Sequence, residues 1–178
     1  MASKAQMGIV DAVKTCFRKY ADFSGRASRP EYWWFFLFTV IVTAILGILD
    51  AAIFGSGAEI EEAPRILSGI FQLAVLLPML AVAWRRMHDT GRPGWYVLLP
   101  MLLSFAFLAA ALAGVVTFSA VETRLDDPSV LIAPAAWFGG FGVALTVLVQ
   151  LVLALLMLWW LTRPSQPGAN QYGPAPAK

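Results

Sequence analysis

The sequence predicts an all-α integral membrane protein, in which four transmembrane helices follow an interfacial amphipathic helix and both termini lie in the cytoplasm. Three observations support this fold class. The 178 residues are 59% hydrophobic and only 13% charged, whereas soluble domains carry about 25% charged residues. Four apolar stretches are each long enough to span a membrane, and the basic residues are divided unevenly among the segments between them.

The first element is an amphipathic helix within residues 1–22. Apolar side chains recur there every three or four positions, and charged side chains fall on the other side. The apolar positions are Ile9, Val10, Val13, Cys16, Phe17 and Tyr20. A helix of this kind ahead of a first span is expected to lie in the membrane interface, with its basic face toward lipid headgroups. The alternative is a helix packed on the protein's own loops.

The transmembrane domain covers residues 23–163 and contains the four apolar stretches. These are residues 32–54, 66–84, 95–118 and 135–161. Each can cross a hydrocarbon core about 30 Å thick as a helix, which satisfies the backbone hydrogen bonds that lipid cannot. Buried elements of soluble domains are shorter, so that alternative is disfavoured. Residues 164–178 are predicted to form an extended cytoplasmic tail, because their prolines and glycines preclude a helix.

The basic residues set the orientation of the chain. Eleven of the thirteen Lys and Arg residues lie in the N-terminal segment, in the 85–94 loop or in the tail. The other two, Arg65 and Arg124, lie in loops that also carry three acidic residues each. Because Lys and Arg near span ends are retained in the cytoplasm, this division places both termini and the 85–94 loop on the cytoplasmic side.

Few polar groups lie within the spans. Gln150 is near the middle of the fourth span and is expected to hydrogen-bond to another helix. Pro78 removes the helical hydrogen bond to the Ala74 carbonyl in the second span, and Asp50 lies near the outer end of the first. This scarcity of buried ionisable groups disfavours a proton relay or an ion pathway.

The composition excludes several kinds of site. Cys16 is the single cysteine and His88 the single histidine, so an intrachain disulfide and a Cys/His zinc site are both excluded. The net charge of +2 is too small to suggest nucleic-acid binding. We therefore expect no metal, no cofactor and no nucleic-acid partner.

A polar motif, FSGRASRPEYWW, occupies residues 23–34 ahead of the first span. Ser28 and Glu31 predict a capping box, in which the hydroxyl accepts the N–H of the third helical residue and the carboxylate accepts the N–H of Ser28. Arg26 and Arg29 also fit a simpler role, as basic anchors on the cytoplasmic side.

A second motif, RRMHDTGRPGW, occupies residues 85–95 between the second and third spans. His88 beside Asp89 suggests acid–base chemistry, but adjacent residues rarely orient each other as a catalytic pair does, and no nucleophile lies nearby in the sequence. The preferred interpretation is a turn in which Asp89 pairs with a nearby arginine, and no catalytic residue is assigned.

Together with NQYG at residues 170–173, these two motifs resemble a bacterial inner-membrane family called domain of unknown function 805 (DUF 805). The three blocks occur in the order of the family pattern and frame residues 23–173. The chain departs from that pattern at Pro93, where the family often has serine. The resemblance implies a multi-pass protein of the bacterial inner (plasma) membrane, and it implies no activity.

The topology places the three blocks at one membrane surface, where we expect them to form a polar cluster. Glu31 should pair with Arg85 or Arg86, and Asp89 with an arginine of the first motif, because an unpaired charge is costly at a half-dry interface. The tail should fold back over these groups. The alternative is that each arginine snorkels independently toward water. The predicted cluster comprises Arg26, Arg29, Glu31, Arg85, Arg86, His88, Asp89, Arg92, Asn170 and Tyr172.

The sequence leaves three functions open. The preferred one is a non-enzymatic membrane protein whose cluster binds anionic lipid headgroups or a protein partner. The second is a small oligomeric transporter or channel, and the third is a lipid-headgroup enzyme that uses His88 and Asp89. A homo-oligomer or a membrane-protein partner is compatible with each of them.

Overall fold

The computed structural model describes residues 7–55, 64–122 and 132–176, and these residues are mainly helical. The helices are α1 Ile9–Arg18, α2 Arg29–Phe54, α3 Ile66–Asp89, α4 Leu99–Glu122 and α5 Ile132–Thr162, with a 3₁₀ turn at Gly94–Leu98. In the described chain, four stretches are long and apolar enough to cross a membrane. They are Arg29–Phe54, Ile66–Asp89, Gly94–Ser119 and Gly139–Thr162, which confirms the predicted class of four-span membrane protein.

Helices α2 and α3 extend beyond their predicted apolar stretches. The start of α2 is Arg29 rather than residue 32, and α3 continues through the basic motif to Asp89 rather than ending at residue 84. The prediction counted only apolar residues, whereas a helix ends where its backbone hydrogen bonds end. The part of the motif predicted as a loop therefore shortens to residues 90–93. The acidic loops at residues 56–63 and 123–131 lie outside the described residues.

The described residues group into two compact units, one within Met1–Val97 and Trp160–Lys178, the other within Leu98–Trp159. In the first unit, α1 packs against α2 and α3. The face of α1 that carries Ala12 and Cys16 is buried, while Val10 remains exposed. A helix is therefore present in the predicted segment, and it packs against α2 and α3. Its position in the membrane interface stays a prediction.

A tyrosine after α1 compensates for the proline inside α3. Pro78 has no N–H, so the Ala74 carbonyl lacks its usual helical donor. The Tyr20 hydroxyl donates to this carbonyl at 2.5 Å. Ala74 lies fifteen residues before the end of α3, which is about 22 Å along the helix axis. The segment after α1 therefore reaches well down the spanning helix and fastens α1 to it.

Asp50, near the end of α2, caps the start of α3. Its two carboxylate oxygens accept the backbone N–H groups of Leu67 and Ser68 at 2.8 and 2.9 Å, and Oδ2 also accepts the Ser68 hydroxyl at 2.7 Å. The first N–H groups of a helix have no partner within it, and a carboxylate satisfies them and the helix dipole together. The buried acid in the span is therefore a cap between neighbouring helices.

The second unit contains α4 and most of α5, and Gln150 joins these helices. Its side-chain N–H₂ group donates to the Pro100 carbonyl at 3.0 Å and to the Ser104 hydroxyl at 2.5 Å. This confirms the predicted hydrogen bond between helices. Such a bond contributes about 0.6–2 kcal/mol within a membrane.

Candidate functional site

The three sequence motifs converge at one end of the first unit, where α2 begins, α3 ends and the tail folds back. We call this region the motif end. The residues at its centre are Arg26, Glu31, Arg85, Arg86 and Asp89, which we call the arginine–carboxylate cluster. All five are buried, with residue exposures of 6% or less. His88, Asn170 and Tyr172 contact one another at the same end, whereas Arg29 and Arg92 lie outside the cluster.

Asp89 is the acceptor at the centre of the cluster. Its Oδ1 lies 2.9 Å from both Nε and Nη2 of Arg26, and its Oδ2 accepts from Arg86, three residues earlier on α3. The side chains of all three residues have no solvent exposure. One carboxylate therefore holds two buried guanidinium groups, one from each motif. The predicted pairing of Asp89 with an arginine of the first motif is observed with Arg26.

Glu31 and Arg85 form the second buried pair, with 2.8 Å between Oε1 and Nη1. The predicted capping box is only half formed: the Ser28 hydroxyl accepts the Glu31 N–H at 3.3 Å, but the Glu31 carboxylate turns to Arg85. A buried guanidinium without a counter-charge costs more free energy than an unpaired N–H at a helix start. The carboxylate therefore pairs with Arg85 and does not accept the N–H of Ser28.

The Arg85 side chain is fully buried and only partly satisfied. Its Nε and Nη2 groups have no hydrogen-bond partner among the described residues. On α1, Cys16 is also fully buried. Burial, together with the nearby charge of Glu31, raises the pKa of the Cys16 thiol to about 12, and Arg85 opposes this shift. Cys16 is thus a buried, protonated thiol near the Glu31–Arg85 pair.

Backbone carbonyls accept further donors of Arg26 and Arg86. Arg26 donates to the carbonyls of Gln166 and Gly168, both at 2.7 Å. Arg86 donates from Nε to the Leu161 carbonyl at 3.1 Å and from Nη2 to the Arg163 carbonyl. These bonds hold the tail back over the motif end. Its neutral carbonyls satisfy arginine donors without adding negative charge.

His88 holds the tail instead of pairing with Asp89. Its ring stacks on Tyr172 with centroids 3.8 Å apart and planes 1° apart, and its Nδ1–H donates to the Gly25 carbonyl at 3.0 Å. The Asn170 side chain donates to the His88 carbonyl at 2.9 Å. Since both Asp89 oxygens face arginines, the carboxylate does not orient the imidazole. The geometry of an acid–base pair is absent at these two residues.

Two glycines of the second motif allow close packing at this end. Gly91 has φ +75°, and a Cβ there would lie 2.3 Å from the Gln166 side chain. A Cβ on Gly94 would lie 2.0 Å from the Trp84 ring. The Gln166 amide is the end of a flexible side chain and can move aside, so at Gly91 the positive φ is what disfavours a side chain. A side chain at Gly94 would displace the Trp84 ring. The glycines are therefore structural requirements of the motif.

Arg29 and Arg92, also predicted as members of the cluster, have different surroundings. Arg29 is exposed, forms no ion pair within the described chain, and makes one long contact of 3.5 Å to the Thr162 carbonyl. Arg92 lies over the Trp160 ring, 5.0 Å from its centroid. Burial lowers the pKa of Arg92, and the charge of Arg163 adds to that shift. These two arginines bring positive charge to the motif end without a carboxylate partner.

Several residues of the site were missed by the sequence reasoning. Gln166 and Gly168 supply carbonyls to Arg26, and the Gln166 N–H donates to the Asp89 carbonyl at 3.1 Å. Any residue can supply a backbone carbonyl, so these roles leave no signature in the sequence. Gly168 has φ +72°, and the sequence Pro167–Gly168 was the available signal of a turn. In the described part of the chain, no group of three or more His, Cys, Asp or Glu residues is placed to hold a metal ion.

Fold and site together define a multi-pass helical membrane protein with a buried arginine–carboxylate cluster. The chain belongs to the family described as "Protein of unknown function (DUF805)", whose model matches residues 20–174. It is similar to Inner membrane protein YhaH of Escherichia coli (strain K12), with 43% identity over 82 residues. It is also similar to Inner membrane protein YhaI of the same strain, with 44% identity over 82 residues.

Each match covers 46% of this chain. It spans 65% of the length of YhaH and 64% of the length of YhaI, which is less than two thirds of either relative. No solved structure has significant similarity to the chain. The relatives therefore support an inner-membrane family and carry no activity over to this protein.

Proposed function

We propose that this chain is a non-enzymatic inner-membrane protein whose motif end binds anionic lipid headgroups. The observation that carries the proposal is the charge balance of the motif end. In the cluster, three arginines meet two carboxylates, which leaves one positive charge in excess. Arg29 and Arg92 add two more without a carboxylate partner among the described residues.

The position of this positive charge favours lipid as the ligand. The motif end lies where α2 begins and α3 ends, and both helices are long enough to span the hydrocarbon core. Their ends therefore fall at headgroup depth. A basic group near an anionic membrane surface gains about 1 kcal/mol. The buried cluster fixes the backbone around Arg29, which is the first residue of α2.

The arrangement of His88 and Asp89 does not support the enzyme alternative. Asp89 is occupied by Arg26 and Arg86, and His88 is stacked on Tyr172. Neither side chain is free to bind a reacting group, and catalysis needs a base within reach of the proton that it removes. Lipid binding uses Arg29, which is exposed, and leaves this network intact.

Native mass spectrometry of the purified protein tests the proposed function. Phosphatidylglycerol should bind at least about fivefold more tightly than phosphatidylcholine with the same acyl chains, because one basic contact to the headgroup contributes about 1 kcal/mol. Added salt should weaken only the phosphatidylglycerol complex. Equal affinity for the two lipids at low salt would refute the proposal. A co-purifying protein in place of lipid would favour a protein partner.

The proposal also requires that the motif end face the cytoplasmic leaflet. The support for that orientation is the concentration of eleven basic residues in the N-terminal segment, the 85–94 region and the tail. Reporter fusions at residues 60, 90, 128 and 178 should give periplasmic activity only at 60 and 128. Periplasmic activity at 90 or 178 would contradict the topology.

A further inference from the structure

Two adjoining cavities meet at Arg29, on the outer side of the motif end. The larger has a volume of about 750 Å³ and lies between the first turn of α2 and tail residues 164–168. The smaller has a volume of about 420 Å³ and lies against Trp33, Trp34 and Thr162. Arg29, Pro30 and Trp34 line both cavities. The arginine therefore stands between a space under the tail and a groove beside two tryptophans.

The walls of these cavities suit an amphiphile with a negative head. Arg29 is the single charged residue among the described residues that line either space. Most of the remaining wall is apolar, from Pro30, Trp33, Trp34 and the tail prolines. A free inorganic anion would find one cation and few hydrogen-bond donors there. A phosphodiester joined to a glycerol and acyl chains would use the cation and the apolar walls together.

The tail wall of the larger cavity is held in place by the buried cluster. Arg26 donates to the carbonyls of Gln166 and Gly168, both of which belong to the lining. Arg26 is in turn bound by Asp89. The cavity is therefore bounded by a fixed loop, and a ligand that enters it need not order the tail.

From this arrangement we infer that the joined cavities bind one anionic phospholipid, with its phosphodiester on Arg29 and the upper part of an acyl chain along Trp34. The inference rests on the proposed function and names its site and ligand class. It makes Arg29 the residue that selects an anionic headgroup, and Trp34 a residue that contacts any phospholipid. The buried arginines support the site without touching the lipid.

Lipid binding by matched variants tests this assignment. Arg29→Gln should weaken phosphatidylglycerol binding by about fivefold to tenfold in native mass spectrometry, as expected for one basic contact. Arg92→Gln removes the same charge from the same end but does not line either cavity, and it should change the affinity by less than about twofold. Trp34→Ala should weaken phosphatidylglycerol and phosphatidylcholine alike. Thermal unfolding of each variant shows whether the protein remains folded.

The outcomes separate the site from the broader proposal. If the wild-type protein prefers phosphatidylglycerol but Arg29→Gln and Arg92→Gln weaken it equally, the site assignment is wrong and general lipid binding stands. If the wild-type protein shows no preference for phosphatidylglycerol, both the site assignment and the proposed lipid-binding function are wrong. Millimolar inorganic phosphate, with chloride at equal ionic strength as its control, should not release the lipid. Release by phosphate alone would show a site for a free anion and overturn the phospholipid assignment.

Discussion

Replacing Asp89 by asparagine is expected to lower the free energy of unfolding by about 3–5 kcal/mol. The side chain keeps its shape but loses its charge, so Arg26 and Arg86 would remain buried without a counter-charge. Each would still donate to backbone carbonyls, but a neutral carbonyl compensates a guanidinium less well than a carboxylate does. Chemical unfolding in mild detergent, monitored by tryptophan fluorescence, measures the loss.

Asp22→Asn is the matched control for this variant. Asp22 accepts only local hydrogen bonds, from the N–H of Ser24 at 3.0 Å and its hydroxyl at 2.5 Å. These bonds lower the pKa of Asp22, but the group is largely solvated, and its loss should cost less than about 1 kcal/mol. Faster proteolysis of the tail should accompany Asp89→Asn alone, since Arg26 holds the tail. Equal losses for the two variants would show that the buried ion pairs contribute little to stability.

The fold class follows from the sequence because few backbone conformations are stable in lipid. A run such as residues 32–54 has no stable alternative to a helix in hydrocarbon. The ends of the helices are less predictable, because they depend on partners far along the chain. The last five residues of α3 begin with Arg85 and end with Asp89, and by composition they resemble a loop. Arg26, just before α2, pairs with Asp89, and Glu31, in the first turn of α2, pairs with Arg85. These ion pairs stabilise the two residues within the helix.

The ion pairs of the cluster could be predicted from the sequence, but the hydrogen bonds from its arginines to backbone carbonyls could not. Opposite charges confined to one membrane surface are expected to pair, which predicted Glu31 with Arg85 or Arg86 and Asp89 with Arg26 or Arg29. The choice of Arg86 rather than Arg29 as the second partner of Asp89 depends on helix geometry. Arg86 and Asp89 are three residues apart on α3 and share a face, but the sequence did not show that α3 continues this far. Arg29 is consequently left outside the cluster, where it lines the two cavities.

The Tyr20 contact shows a different limit of sequence reasoning. Pro78 predicts an Ala74 carbonyl without its helical donor, but not which group will satisfy it. Any hydroxyl, amide or water could do so, and the donor comes from a residue 54 positions away. The same holds for Asp50, whose carboxylate caps a helix other than its own. The sequence shows that a backbone group lacks its helical partner, but only the packing of the chain shows which residue supplies one.

A double-mutant cycle on Glu31 and Arg85 should give strongly non-additive losses of stability. Glu31→Gln leaves a buried guanidinium without a counter-charge, and Arg85→Gln leaves a buried carboxylate in the same state. Each single change should cost about 3–5 kcal/mol. The double variant buries two neutral amides instead, so its loss should fall short of the sum of the single losses by at least about 2 kcal/mol. Unfolding in detergent measures all four corners of the cycle.

Cys16 supplies an independent readout of the same pair, because it is the single cysteine of the chain and is fully buried. With its pKa raised to about 12, only about one thiol in ten thousand is ionised at a pH about four units lower, so labelling by a thiol reagent should be slow. Either single substitution should loosen α1 and speed labelling by at least about tenfold, and the double variant should label more slowly than either. Asp11 and Lys14, which are exposed on α1, provide the control cycle, with a coupling below about 0.5 kcal/mol. Additive losses for Glu31 and Arg85, with unchanged labelling of Cys16, would mean that their ion pair does not hold α1 against α2 and α3.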